Sequence, residues 1–147
     1  MTGFNHAASG GLIGRFLPLP IAIPLAFISH FALDSLPHYG IPHRKRDKSL
    51  GWRIFSIADF IATLGLAALA ISWHKYAMPG CGFVACSPDF FWVARVIKTK
   101  SFDLSKNRSR FTKWHVKIQR LERPWGIWLE MPLSVVLFYF VWHFGAK

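Results

Sequence analysis

The stretch from Ile54 to Trp73 is twenty residues interrupted only by Asp59 and small polar side chains. At ~1.5 Å rise per residue a helix of that length is ~30 Å long, the thickness of a bilayer core. A segment this apolar belongs in hydrocarbon, and it sets the class of everything around it. Ile127 to Phe144 is a second span, flanked by Trp125, Trp128, Trp142 and His143, whose amphipathic rings favour the headgroup level. Phe83 to Ile97 is shorter and holds Asp89 and Arg95, so it spans only where neighbouring helices shield those charges.

The region from Asn5 to Leu36 is apolar but broken by Pro18, Pro20 and Pro24. Proline inside a helix removes a hydrogen bond and clashes with the preceding turn. This predicts a hairpin: a short helix from about His6 to Leu17, a turn at Leu17-Pro18-Leu19-Pro20, and a helix returning to Leu36. His6 and His30 are equidistant from Pro18, so an antiparallel return brings them to one depth. Ala7, Ala8, Ser9, Gly10, Gly11 and Gly14 are small enough to let the two hairpin backbones approach closely. The expected fold is therefore an all-α integral membrane bundle in one domain, residues 1–147, with a hairpin followed by about three further spans.

Net charge is +11, which in a soluble domain would suggest a nucleic-acid binder. Here the basic residues lie between apolar runs, so no nucleic acid is expected. Five of the 18 Lys and Arg fall in residues 38–53 and nine between Lys98 and Arg123. Two spans separate these basic loops (38–53 and 98–124), which puts both on one side. The excess of Lys and Arg makes that side cytoplasmic, with the C-terminus outside. Phe111, Trp114, Ile118 and Leu121 recur near helical spacing among basic residues, which suits a helix on anionic lipid headgroups, although a solvated basic loop fits equally. Cys81 and Cys86 form no CxxC motif and suggest no redox chemistry.

Four of the seven acidic residues, Asp34, Asp59, Asp89 and Glu130, sit inside or at the ends of apolar stretches. A carboxylate there costs a few kcal/mol on insertion scales unless it finds a partner. The topology gathers them, with His6 and His30, in one layer near the cytoplasmic face. His30 and Asp34 are i,i+4 on one helical face, and Pro37 ends the helix so that His38 turns back toward them. Imidazole and carboxylate together suit zinc, manganese or iron, whereas oxygen alone suits magnesium or calcium. Any one of these residues alone is most simply a cap or an interfacial group, but their coincidence in one layer points to a metal or proton-handling site. His115 joins the layer only where its basic stretch folds back. His43 is read as a loop residue. Asp47, Asp103 and Glu122 are read as local partners of Lys and Arg.

His6 and the small residues after it, Ser29-His30-x3-Asp34-x2-Pro37-His38, Pro88-Asp89 and Trp114-His115 together resemble the bacterial inner-membrane family of membrane-bound metal-dependent hydrolases. The His-x3-Asp element is also similar to that of zinc-dependent phospholipase C. The resemblance runs in order over most of the chain and implies a multi-spanning helical protein with metal ligands at His6, His30, Asp34, Asp89 and His115. The chain departs from the hydrolase pattern in lacking a His-Arg-Gly-x-Thr-His-Ser segment; its nearest text is His43-Arg44-Lys45-Arg46.

The expectation is a hydrolase of the inner membrane, holding a divalent metal and acting on a phosphoester or lipid-like substrate near the cytoplasmic headgroups. Glu130 and Asp59 are the candidate catalytic bases. The alternatives are an ion- or proton-handling transport protein and a non-catalytic membrane module that binds a partner through its basic loops.

Overall fold

The computed structural model describes residues 1–101 and 109–147, with His43 and Arg44 described in backbone only. Asp103, Lys106 and Arg108 lie outside the described residues. The chain is built from helices: α1 (Gly3–Phe16), α2 (Leu19–Asp34), α3 (His43–Arg46), α4 (Leu50–Ser72), α5 (Ala77–Cys86), α6 (Phe90–Thr99), α7 (Arg110–Ile118) and α8 (Ile127–Gly145). Three helical stretches, Leu50–Ser72, Ala77–Thr99 and Pro124–Gly145, are long and apolar enough to cross a membrane. Large apolar side chains such as Ile57, Phe60, Ile61 and Leu64 on α4 and Val135 on α8 lie exposed along them. Such a belt suits a hydrocarbon surround and has no counterpart on an ordinary soluble domain.

The hairpin forms as expected. Pro18 is the N-cap of α2, Pro20 lies in its first turn where no amide partner is lost, and Pro24 is carried inside the helix. The return ends at Asp34, two residues short of Leu36. The span expected from Phe83 begins earlier, at Ala77, and bends through a 3-10 turn at Ser87–Asp89. Residues 77–82, ahead of the expected span, are thus helical.

The small residues of α1 do a different job from the one expected of them. A Cβ at Gly10 would lie 2.6 Å from Ala85 Cβ and from the Cys81 carbonyl oxygen, and one at Gly14 would lie 2.5 Å from the Ala77 oxygen. Their partner is therefore α5, not principally α2. The reason is volume: α5 is itself rich in small residues, so the two lowest-bulk faces meet backbone to backbone. Ala8 turns toward Leu66 and Ala70 of α4 and Val141 of α8, while Ala22 and Ala26 of α2 pack on Cys81 and Ala85. Helix α1 is consequently the central post. Its Arg15 donates from Nε to the Phe144 oxygen at the end of α8.

The two basic segments meet. His38–Tyr39 (β1) and Glu122–Arg123 (β2) pair in parallel, His38 opposite Glu122 and Tyr39 opposite Arg123. Arg46 donates to Glu122 across the same junction, and its guanidinium lies over the Trp52 ring at 4.4 Å. Burial lowers the Arg46 pKa, against the attraction of Glu122, and burial raises that of Glu122, against the attraction of Arg46. This join places both basic segments at one end of the bundle.

Candidate metal centre

Four side chains from three parts of the chain converge at that end. His30 and Asp34 come from the last turns of α2, Asp89 from the 3-10 turn before α6, and His115 from α7. One ligand atom from each lies within 4.8 Å of the others. His30 Nε2 is 3.0 Å from His115 Nε2 and 3.2 Å from Asp34 Oδ2, and His115 Nε2 is 2.7 Å from Asp34 Oδ2. Asp89 Oδ1 is the most distant member, 3.7 Å from His30 Nε2 and 4.0 Å from His115 Nε2. Bonds of ~2.0–2.2 Å in a tetrahedron set ligand atoms ~3.3–3.6 Å apart, so these separations bracket the edge of such a polyhedron.

The tautomer of His30 supports the same chemistry. Its Nδ1 lies 2.8 Å from the Ala85 carbonyl oxygen, which can only accept, so Nδ1 carries the proton and donates. Its Nε2 then faces Asp34 Oδ2 and His115 Nε2. An imidazole held by its outer N–H on a carbonyl, with the inner nitrogen bare, is the arrangement that orients metal ligands.

Asp34 is fully buried and addresses two groups of partners. Oδ2 faces His30 and His115 and accepts from Gln119 Nε2 at 2.8 Å. Oδ1 accepts from the Met1 amino group at 2.6 Å and lies 3.2 Å from His6 Nε2. His6 is close enough to feel the carboxylate but is not aligned to hydrogen-bond with it, and both ring nitrogens of His6 are buried without a hydrogen-bond partner among the described residues. Its ring stacks on that of His30, centroids 4.0 Å apart. The matching depth expected from the Pro18 spacing is thus present as a ring stack. Burial alone would lower the pKa of the Met1 amino group; Asp34, Glu130 and Asp89 outweigh it and raise the pKa, so the group is a buried cation.

Helix α7 reaches the site because the chain folds back. Phe31 of α2 meets Trp114 and His115 at ring distances of 4.9 and 5.5 Å, and Phe91 of α6 meets Phe111 at 5.2 Å. These aromatic contacts seat the helix, and Ser109 caps it by accepting from the Thr112 amide. Its apolar side therefore meets protein, with His115 buried and Trp114 half exposed.

Four of the expected site residues stand outside the four-residue group: His6, stacked on His30, and Glu130, Asp59 and His38. Glu130 Oε1 accepts from the Thr2 amide and Oε2 from the Tyr39 amide at 2.7 Å. Asp59 Oδ2 accepts from Gly3 at 2.8 Å and Oδ1 from Phe4 at 3.0 Å, so a carboxylate on α4 caps the first turn of α1. Both carboxylates proposed as bases thus have both oxygens engaged by backbone amides. His38 donates from Nδ1 to the Leu36 oxygen at 2.8 Å in β1. Burial, followed by the positive Met1 amino group, lowers its pKa to about 4, so it is neutral at physiological pH.

Sequence reasoning did not weigh Gln119 or the Met1 amino group. Gln119 follows His115 by four residues, the spacing that puts two side chains on one helical face. Nothing in the residue pattern marks the amino group. Cys81 and Cys86 are free thiols.

No family model, curated protein or solved structure matches this chain.

Proposed function

We propose that this chain is a metal-dependent hydrolase of the inner membrane that acts on a phosphoester or lipid-like substrate at the cytoplasmic face. The observation that carries the proposal is the convergence of two imidazole nitrogens and two carboxylates, with His30 held in the ligand tautomer by Ala85. Two nitrogens and two oxygens suit zinc, with manganese or iron as the other fits. His30, Asp34 and His115 would hold the ion, and Asp89, partly exposed and most distant, would stand on its open side. A bound dication there supplies Lewis acidity, polarising the scissile group and making water easier to deprotonate. The residues do the rest: Ala85 fixes the His30 ring, Gln119 and the Met1 amino group orient Asp34, and Asp89 can accept a proton from water at the open side.

The exposed apolar helices support a membrane location, and the concentration of Lys and Arg at the end joined by β1 and β2 supports placing that end in the cytoplasm, next to anionic headgroups, with the C-terminus outside. The test is hydrolysis by the purified full chain in phosphatidylglycerol vesicles, measured with zinc, with manganese, with chelator, and in His30→Ala and Asp34→Ala variants. Metal-dependent release of the headgroup that both variants lose is expected. Full metal binding with no hydrolysis, together with flux of metal or protons across sealed vesicles, would replace the enzyme by a transporter.

A further inference from the structure

Two cavities meet at Asp89. The first, about 660 Å³, runs between α4 on one side and α1, α5 and α6 on the other. That volume lies within the range of small-molecule sites. Along α4 it extends from Trp52 to Ala70, nineteen residues or ~27 Å of helix. Its floor is deep because Ala7 and Gly11 of α1 and Gly82 of α5 have so little bulk. Its far end, at Ala67, Ala70 and Met78, has only apolar side chains, whereas Ser56, Asp59 and Asp89 lie toward the other end. The second cavity, about 380 Å³, shares Asp89, Met1, Trp52 and Ser56 with the first and adds His38, Arg46, Gln119 and Glu122.

A long apolar cavity that opens at one end into one walled in part by His38, Arg46, Gln119 and Glu122 is the negative of an amphiphile. We propose that the site takes an anionic phospholipid of the surrounding leaflet, with one acyl chain lying in the groove along α4 and the phosphate at Asp89, where the cavities join. This names the substrate class of the hydrolase proposed above and rests on that reading for the chemistry, though not for the binding. A lipid fits better than a soluble phosphoester for two reasons. The groove is walled by a helix whose other faces carry exposed Ile54, Ile57 and Ile61, so it lies at the level of the hydrocarbon belt. The polar end lies among the two basic segments, where an anionic headgroup is attracted.

The test uses the full chain in nanodiscs of phosphatidylcholine and phosphatidylglycerol, the latter carrying a diazirine at the end of one acyl chain. After illumination the labelled residues are mapped by mass spectrometry. Labelling at Ala67, Ala70 and Met78 severalfold above that at the outward-facing Ile61 and Val135 is expected. Unlabelled phosphatidylglycerol should compete it away better than phosphatidylcholine does. Ala67→Trp, which fills the groove away from the metal ligands, should lower the groove labelling severalfold and leave zinc content unchanged. Uniform labelling of groove and outward positions, or equal competition by the two lipids, overturns the proposal even where zinc binds. Groove labelling without zinc binding supports the lipid site and removes the hydrolase.

Discussion

Gly10→Ala tests the link between helix packing and the metal centre. The new Cβ would stand 2.6 Å from Ala85 Cβ and from the Cys81 oxygen, against an ordinary contact of 3.4 Å or more, so α5 must retreat by about 0.8 Å. Neither obstacle is the flexible end of a long side chain, so the movement falls on backbone. Overpacking of this kind costs about 1–3 kcal/mol. Ala85 is also the residue whose carbonyl holds His30 Nδ1 at 2.8 Å, and a retreat of that size breaks the geometry of the bond. Loss of such an outer anchor lowers metal affinity by ~10–100-fold. Gly65→Ala is the control, because nothing lies within 4 Å of its added Cβ; in a helix interior it should stabilise by ~0.5–1 kcal/mol. Zinc titration and thermal unfolding of both variants in detergent read the two effects. Unchanged zinc affinity and unchanged Tm in Gly10→Ala would refute both the packing and the role of Ala85.

Three further outcomes are expected. Asp59→Ala removes the acceptor of the Gly3 and Phe4 amides and should lower stability by about 1–2 kcal/mol, with Asp59→Asn milder, as thermal unfolding will read. His38 is neutral when folded and its pKa falls from 6.5 to about 4, so the unfolded chain binds the extra proton between those values. Stability from this group is full above pH 6.5 and falls as pH drops toward 4, by about 2 kcal/mol at pH 5, and His38→Gln should abolish that part of the slope in unfolding measured at pH 7 and pH 5. A reporter fused after Lys147 should be active only outside the cytoplasm; activity inside would reverse the proposed orientation.

What the sequence made legible was local or set by arithmetic along the chain. The proline cluster predicted the hairpin, and equal counting from Pro18 predicted that His6 and His30 share a depth, which the ring stack bears out. The i,i+4 pair His30 and Asp34 needed only helical geometry. Asp59 and Glu130 were recognised as buried carboxylates needing partners, yet the partners are backbone amides 55 to 128 residues away, and an amide carries no residue signature. The small face of α1 was visible, but its partner depends on where α5 packs. The ladder of β1 and β2, two residues on each strand, is too short for any periodicity to announce. Helix α7 was ambiguous because an amphipathic basic helix looks the same whether its apolar side meets lipid or protein; only Phe31 and Phe91 decide it.

A dication at this end of the bundle would be held by His30, Asp34 and His115, with Asp89 on its open side. X-ray absorption on the zinc-loaded full chain tests this most directly. Nitrogen and oxygen neighbours at ~2.0–2.2 Å are predicted, with imidazole scattering that weakens in His115→Ala and vanishes with the metal in the His30→Ala, Asp34→Ala double variant. A shell of oxygen alone, or full zinc content in that double variant, would contradict it.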